Sequence, residues 1–203
     1  MGSQLPIVFR GAAGDNRFNF DGVDYAAGAG YKDFYPFGAA NSAGDLFFLS
    51  QSTTLDRDAT NTAIGDGDDK DFDITFNNPV TIAAADCYAN FATTNNTASV
   101  TNTITITVYH VDAAAVETSL GTVTCTATAG SASWSARKCA KFALTKKSFG
   151  IGEKLRVSVS VTDTGGASNV YIDPGNDVSL TETGSGATIP TRFIISVPFV
   201  VDL

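Results

Sequence analysis

The clearest periodic signal lies between Asn102 and Asp163, where apolar and polar residues alternate. Ile104, Ile106 and Val108 alternate with Thr103, Thr105, Thr107 and Tyr109. Val123, Cys125 and Ala127 alternate with Thr122, Thr124 and Thr126. Leu155, Val157, Val159 and Val161 alternate with Arg156, Ser158, Ser160 and Thr162. Side chains on a strand point to opposite faces in turn, so a period of two predicts half-buried strands with one apolar row and one Thr/Ser row. These three strands predict the centre of a sheet protein.

The same pattern continues more weakly on both sides. Leu46 to Leu49 is a short apolar run, and Phe72, Ile74 and Phe76 alternate with Asp71, Asp73 and Thr75 up to the turn signal Asn77-Asn78-Pro79. The alanines from Val80 to Ala92 suggest a helix at first sight. Ala83, Ala85, Cys87, Ala89 and Phe91 nevertheless form an alternating row, which reads as strand. Phe142 and Leu144 mark a further strand, and Gly165-Gly166 ends the one at 154–162. At the chain's close, Phe193, Ile195, Val197, Phe199 and Val201 share a face, while Pro198 cannot donate to a ladder and predicts an edge or a bulge. About nine strands and no convincing helix predict an all-β, jelly-roll-type sandwich. Its expected inner row is Ile104, Ile106, Val108, Leu155, Val157, Val159, Val161, Phe193, Ile195 and Val197.

Residues 1–44 break the pattern. Eight glycines are mixed with Phe9, Phe18, Phe20, Tyr25, Tyr31, Phe34, Tyr35 and Phe37 at no regular period. Glycine frees the backbone while aromatics gain from burial. Two readings stand: an extended N-terminal arm that lays its aromatics on a neighbouring subunit, or an irregular wrap over the chain's own sandwich. The domain division that follows is an arm over 1–44 and a sandwich over 45–203, with the eight aromatics as the candidate interaction residues.

Composition narrows the functions. The apolar fraction of 43% is enough for a core in a 203-residue chain, and charged residues at 17% fall below the roughly 25% of an average domain. A net charge of −8 has the wrong sign for neutralising phosphates, so nucleic acid is not expected as a partner. No run approaches a membrane span and no signal-peptide pattern opens the chain, so the expectation is a soluble protein made in a cytoplasm. Cys87, Cys125 and Cys139 are an odd number without CxxC spacing. They read as thiols, with a Cys125–Cys139 pair left open.

Candidate chemistry is sparse. The carboxylates of Asp66, Asp68, Asp69, Asp71 and Asp73 invite a calcium reading, but the spacing departs from a calcium loop and a solvated acidic turn is expected. Asn95-Asn-Thr97 matches a glycosylation sequon and reads as a polar loop. His110 is the chain's single histidine and falls in register with Ile104, Ile106 and Val108, as a structural residue would. Three glutamates, Glu117, Glu153 and Glu182, lie beside expected turns, and nothing selects a carboxylate pair for hydrolysis. Trp134, Tyr109 and Tyr171 are candidate sugar platforms. No catalytic residue, cofactor or metal is expected.

The segments Ile104 to Val111, Glu117 to Val123, Phe142 to Leu144, Ile151 to Val157 and Val170 to Asn176 resemble a jelly-roll domain of tailed-phage virion proteins. In that group a Thr/Val-rich strand leads through a hairpin to "LGT", followed by a "GEKLRV" strand and a closing "DPxN" turn. The resemblance spans residues 70–180. It implies a non-enzymatic head decoration, or cement, protein on a bacteriophage capsid surface. Its partners would be the major capsid protein or other virion proteins, and its own copies in a trimer. A carbohydrate- or receptor-binding sandwich is the alternative, with a hydrolase third.

Overall fold

The computed structural model describes residues 18–19, 29–39, 46–52, 63–165, 168–172 and 179–200. The strands in chain order are β1 (Phe18–Asn19), β2 (Ala29–Ala39), β3 (Leu46–Ser50), β4 (Ala63–Gly65), β5 (Asp69–Thr75), β6 (Val80–Ile82), β7 (Asp86–Asn95) and β8 (Thr101–Val111). They continue as β9 (Glu117–Thr128), β10 (Trp134–Ala143), β11 (Lys147–Phe149), β12 (Lys154–Asp163), β13 (Ser168–Tyr171), β14 (Ser179–Thr181), β15 (Thr188–Pro190) and β16 (Ile194–Val200). Among the described residues there is no helix.

The main strands β2, β5, β7, β8, β9, β10, β12 and β16 form two antiparallel layers. One layer runs β2-β16-β7-β10 and the other β5-β12-β8-β9. Numbered by position among these eight, the orders are 1-8-3-6 and 2-7-4-5. That interleaving of chain ends and centre is a jelly roll, a double-sheet solution to the problem of exposed strand edges. The fold is an all-β sandwich. All ten residues of the expected inner row are fully buried between its layers.

The expected arm is different over residues 29–39. There the chain forms β2, whose first half pairs with β16 from Ala29 to Phe34 and whose second half pairs with β3 from Tyr35 to Ala39. β2 therefore passes from one layer to the other and is the first strand of the jelly roll. The domain boundary at 44/45 does not divide the sandwich. The physical reason is that β2 is covered on both faces, so its Tyr, Phe and Gly residues need not alternate with polar ones to be a strand.

Two further expectations change. Val80 to Ala92 is two strands, because the chain bends at Ala83–Ala85, where Ala83 N–H donates to Pro198 O at 3.0 Å. β16 is interior and not an edge. Pro198 is tolerated because it falls where the neighbour of β16 changes from β7, paired at Ile194–Ser196, to β6, paired at Phe199. Its missing N–H removes no bond from the β7 ladder.

Close approach explains one glycine. A Cβ at Gly121 would lie 2.5 Å from the Ala143 carbonyl oxygen and 2.8 Å from Leu144 Cδ2. Gly121 borders the register shift in the β8–β9 ladder, where the end of β10 crosses close to β9. Without a side chain there, Thr145 N–H reaches Leu120 O at 2.9 Å.

One end of the sandwich is closed by a buried polar network. Asn95 Nδ2 donates to Asn102 Oδ1 at 2.8 Å and to Ser168 Oγ at 2.9 Å, while Asn102 Nδ2 donates to Thr93 Oγ1 at 3.2 Å. Asn95 is thus no loop residue. It is fully buried at the end of β7 and its amide is committed, so the sequon cannot be glycosylated in the folded chain.

Candidate functional site

A groove of about 850 Å³ lies at the opposite region of the fold, within the usual range for small-ligand sites. Its walls are the β2–β3 corner (Lys32, Leu49 to Gln51), the turn after β5 (Phe76 to Pro79), β6, β11 and the end of β16. Aromatics make the floor. The ring of Phe76 lies edge-on to Phe149 at 5.3 Å and to Phe199 at 6.2 Å. Amides and hydroxyls make the rim: Ser50, Gln51, Asn77, Asn78, Thr81 and Ser148, the last two 3.0 Å apart. Lys32 is the cation at this groove, and burial lowers its ammonium pKa.

Behind the floor stands His110. Its ring meets Phe149 edge-on at 4.8 Å, and its Nε2 lies 2.8 Å from Glu153 Oε2. The same Glu153 oxygen accepts from Gly150 N–H at 2.7 Å, so the turn between β11 and β12 is fastened to β8 through this pair. Glu153 also closes the neighbouring turn through its backbone, its carbonyl accepting from Phe76 N–H at 3.0 Å. The hydrogen bond from His110, joined by that from Gly150, holds the Glu153 carboxyl below its usual range. His110 Nδ1 is buried without a hydrogen-bond partner. His110 is buried on β8, as its register with Ile104, Ile106 and Val108 leads one to expect. Its partner lies 43 residues away and carried no local signal.

The acidic stretch is not a solvated turn throughout, since Asp69, Asp71 and Asp73 lie on β5 and form one row by the strand period. Arg156, opposite Asp73 on β12, fills the centre of that row. Its Nε and Nη2 donate to both oxygens of Asp73 at 2.7 and 2.8 Å, and its Nη1 donates to Asp71 at 3.0 Å and to Glu117 at 2.5 Å. The fork geometry of arginine suits such bidentate pairing. Burial alone would raise the Asp73 carboxyl, but Arg156 and Lys154 outweigh it and hold it below its usual range. The other carboxylates are also engaged: Asp68 with Gly65 N–H and Lys70, Asp69 with Ser158, Asp66 with Asp163 N–H. Among the described residues no three His, Cys, Asp or Glu side chains converge as metal ligands.

These two depressed carboxyls set an acid limb. A carboxyl whose folded pKa lies below its unfolded value contributes stability above the unfolded value, and loses that contribution as pH falls through the folded one. Stability is therefore expected to decline on acidification below the ordinary carboxylate range. Melting curves measured down the acid range should show a shallower pH dependence for Glu153→Gln and Asp73→Asn, each less stable than the parent at pH 7. An unchanged acid slope in both would remove this assignment.

The candidate interaction aromatics do not form one surface. Phe9, Phe20 and Tyr25 lie outside the described residues, and Phe18 stands on β1, paired with Lys32 of β2. Tyr31 is buried, its hydroxyl donating to Asp86 O at 2.8 Å. Phe34 and Phe37 are fully buried, the latter stacked on Phe48 at 5.4 Å. Tyr35 is half-buried on β2 opposite Ser50. For Tyr31, Phe34 and Phe37 the expected role on a neighbouring subunit is replaced by a role in the core. Trp134 is half-buried at the start of β10, with Lys138 Nζ 6.0 Å from its ring centre. The groove residues were not singled out in the sequence. Asn77-Asn78-Pro79 was legible as a turn, but nothing local places it against Ser148 and Phe199.

No protein-family model matches the chain, and no curated protein matches it. Among solved structures, the chain is similar to a CocE/NonD family hydrolase from Staphylococcus aureus, at 12% identity and a TM-score of 0.58, covering 85% of this chain and 37% of that one. It is also similar to an alpha-amino acid ester hydrolase, at 10% identity and a TM-score of 0.57, covering 83% and 36%. The chain spans little more than a third of the length of these proteins. At such identities the likeness is one of fold, and the class defined is the jelly-roll sandwich.

Proposed function

We propose that the chain is a non-catalytic structural protein of a virion surface, working through protein–protein contacts. The observation that carries this reading is the commitment of its reactive side chains to the fold. His110 is engaged by Glu153 and lodged behind Phe149, Arg156 is engaged by three carboxylates, and Ser168 Oγ lies 2.6 Å from Asp163 Oδ2 with no imidazole beside it. A hydrolytic site needs a nucleophile within reach of a base, and the described residues contain no hydroxyl or thiol hydrogen-bonded to the chain's single histidine. The jelly-roll strand order and the virion-like strings over residues 70–180 add to it. Immunogold labelling of native particles, together with an esterase and glycosidase panel on the purified chain, tests the reading. Label on the particle and an inert protein are expected. Hydrolysis that disappears in His110→Asn would overturn it.

A second reading has its own observation. The groove combines an aromatic floor with a rim of amides and hydroxyls, the composition suited to a saccharide. A glycan array distinguishes it: retention that is lost in Asn77→Ala and Asn78→Ala would favour a carbohydrate-binding module over a purely structural part.

A further inference from the structure

Sheet edges are normally protected by lysines, prolines, bulges or a covering loop, because an open strand pairs with any other. β9 is the terminal strand of its layer and pairs only with β8 among the described residues. Near Leu120 it is covered by the end of β10, through the Thr145 N–H bond and the close Ala143 carbonyl. From Thr122 to Thr128 no such backbone bond is present among the described residues, and this stretch itself holds no charge and no proline, although Lys138 of β10 is near enough for its charge to act on Cys125. The edge strand of the other layer, β10, carries Arg137 and Lys141 at exposed positions. The two edges are therefore treated differently by the same chain.

The unprotected stretch is also symmetric. Thr122-Val-Thr-Cys-Thr-Ala-Thr128 reads as Thr, aliphatic, Thr, Cys, Thr, aliphatic, Thr in either direction. A two-fold interface brings each residue of one copy against its mirror position in the other, so it requires a self-complementary patch. We propose that β9 is a self-pairing edge, with two copies of this chain joined antiparallel along residues 122–128 and Cys125 on the two-fold axis. In that register Thr122 faces the second copy's Thr128, Thr124 faces its Thr126, and Val123 faces its Ala127.

The chemistry of such a pairing is already present on the other side of β9. There Thr122 pairs with Thr107, Thr124 with Thr105 and Thr128 with Thr101, with hydroxyl oxygens 3.1, 3.3 and 2.9 Å apart. The threonine ladder continues across the axis without a change of pattern. The half-exposed inner row of Val123 and Cys125 gains cover. A second copy is favoured over an unrelated strand because only a copy supplies the mirrored sequence. Seven residues of strand make a small interface by protein–protein standards, so the dimer dissociates on dilution. The arrangement is two-fold, in place of the threefold association that the virion resemblance implies.

Sedimentation of the full chain over a wide concentration range is expected to show a reversible monomer–dimer equilibrium. Thr124→Lys with Thr126→Lys sets like charges opposite one another and should give monomers, as should Thr124→Glu with Thr126→Glu. Mixing the two variants should restore the dimer. Both positions are exposed, and unchanged melting of each variant would show that the fold is kept. As an independent readout, Cys139→Ser protein treated with diamide, which takes up the two electrons and two protons released by two thiols, should form a linked dimer that Cys125→Ser abolishes. A monomer at every concentration, a trimer, or a dimer indifferent to both charged pairs and giving no Cys125 link would overturn the proposal.

Discussion

Removing residues 2–40 is expected to abolish the folded sandwich, not to release it from an appendage. The deletion takes away β2, among the described residues the one strand that pairs in both layers. It takes from β16 the neighbour that Ala29 to Phe34 provide and from β3 the neighbour that Tyr35 to Ala39 provide. It also empties the core of Tyr31, Phe34 and Phe37, all buried. Fully burying a large apolar side chain contributes ~1.5–3 kcal/mol, so the three together match much of the ~5–15 kcal/mol that stabilises a typical domain. The lost ladder bonds come on top. Circular dichroism and limited proteolysis should show an unfolded chain. A milder version makes the same point with the backbone intact: Phe34→Ala should cost ~3–5 kcal/mol by urea melting, because its ring is enclosed beside Phe199 at 6.1 Å. A soluble, cooperatively melting 41–203 fragment would show that β2 is dispensable and return residues 29–39 to the role of an arm.

That segment also marks the limit of what the sequence made legible. Strands β8, β9 and β12 are read directly, because each has one face in the core and one in water, and that asymmetry is written as alternation. β2 has no such asymmetry. Covered on both sides and changing its partner from β16 to β3 between Phe34 and Tyr35, it mixes Gly, Tyr and Phe without period, so Tyr31, Phe34 and Phe37 looked unanchored when they were core. The site shows the same divide. His110 was legible as a buried residue from its register, whereas Glu153, Phe149 and the groove rim depend on which turns the topology brings together. The row of Asp69, Asp71 and Asp73 was visible as charge, but its meaning comes from Arg156, 83 residues beyond Asp73 and placed against it only by the β5–β12 ladder.

The same ladder separates two substitutions that the alternating pattern alone treats as equal. Val157 and Val159 are both fully buried on β12, the strand between β5 and β8. Val157 stands between Phe72 and Val108, both fully buried, so the carboxylate in Val157→Asp meets only apolar neighbours. An unpaired charge there either stays ionised without solvent or takes up a proton with its pKa raised, and either course costs several kcal/mol. Val159 stands between Ile106 and Lys70. The Lys70 ammonium already lies 3.3 Å from Asp68 and 5.3 Å from the Phe47 ring centre, close enough to the layer for a new carboxylate at 159 to draw on it. Both variants are expected to be destabilised, Val157→Asp to the point of losing the cooperative transition at 25 °C and Val159→Asp by less. The difference should vanish when Lys70 is replaced by Met, which removes the one cation in register with position 159. Urea melting of the four chains measures it. If Val159→Asp proves as damaging as Val157→Asp with Lys70 in place, then the lysine gives no help across the ladder and burial alone sets the cost at both positions.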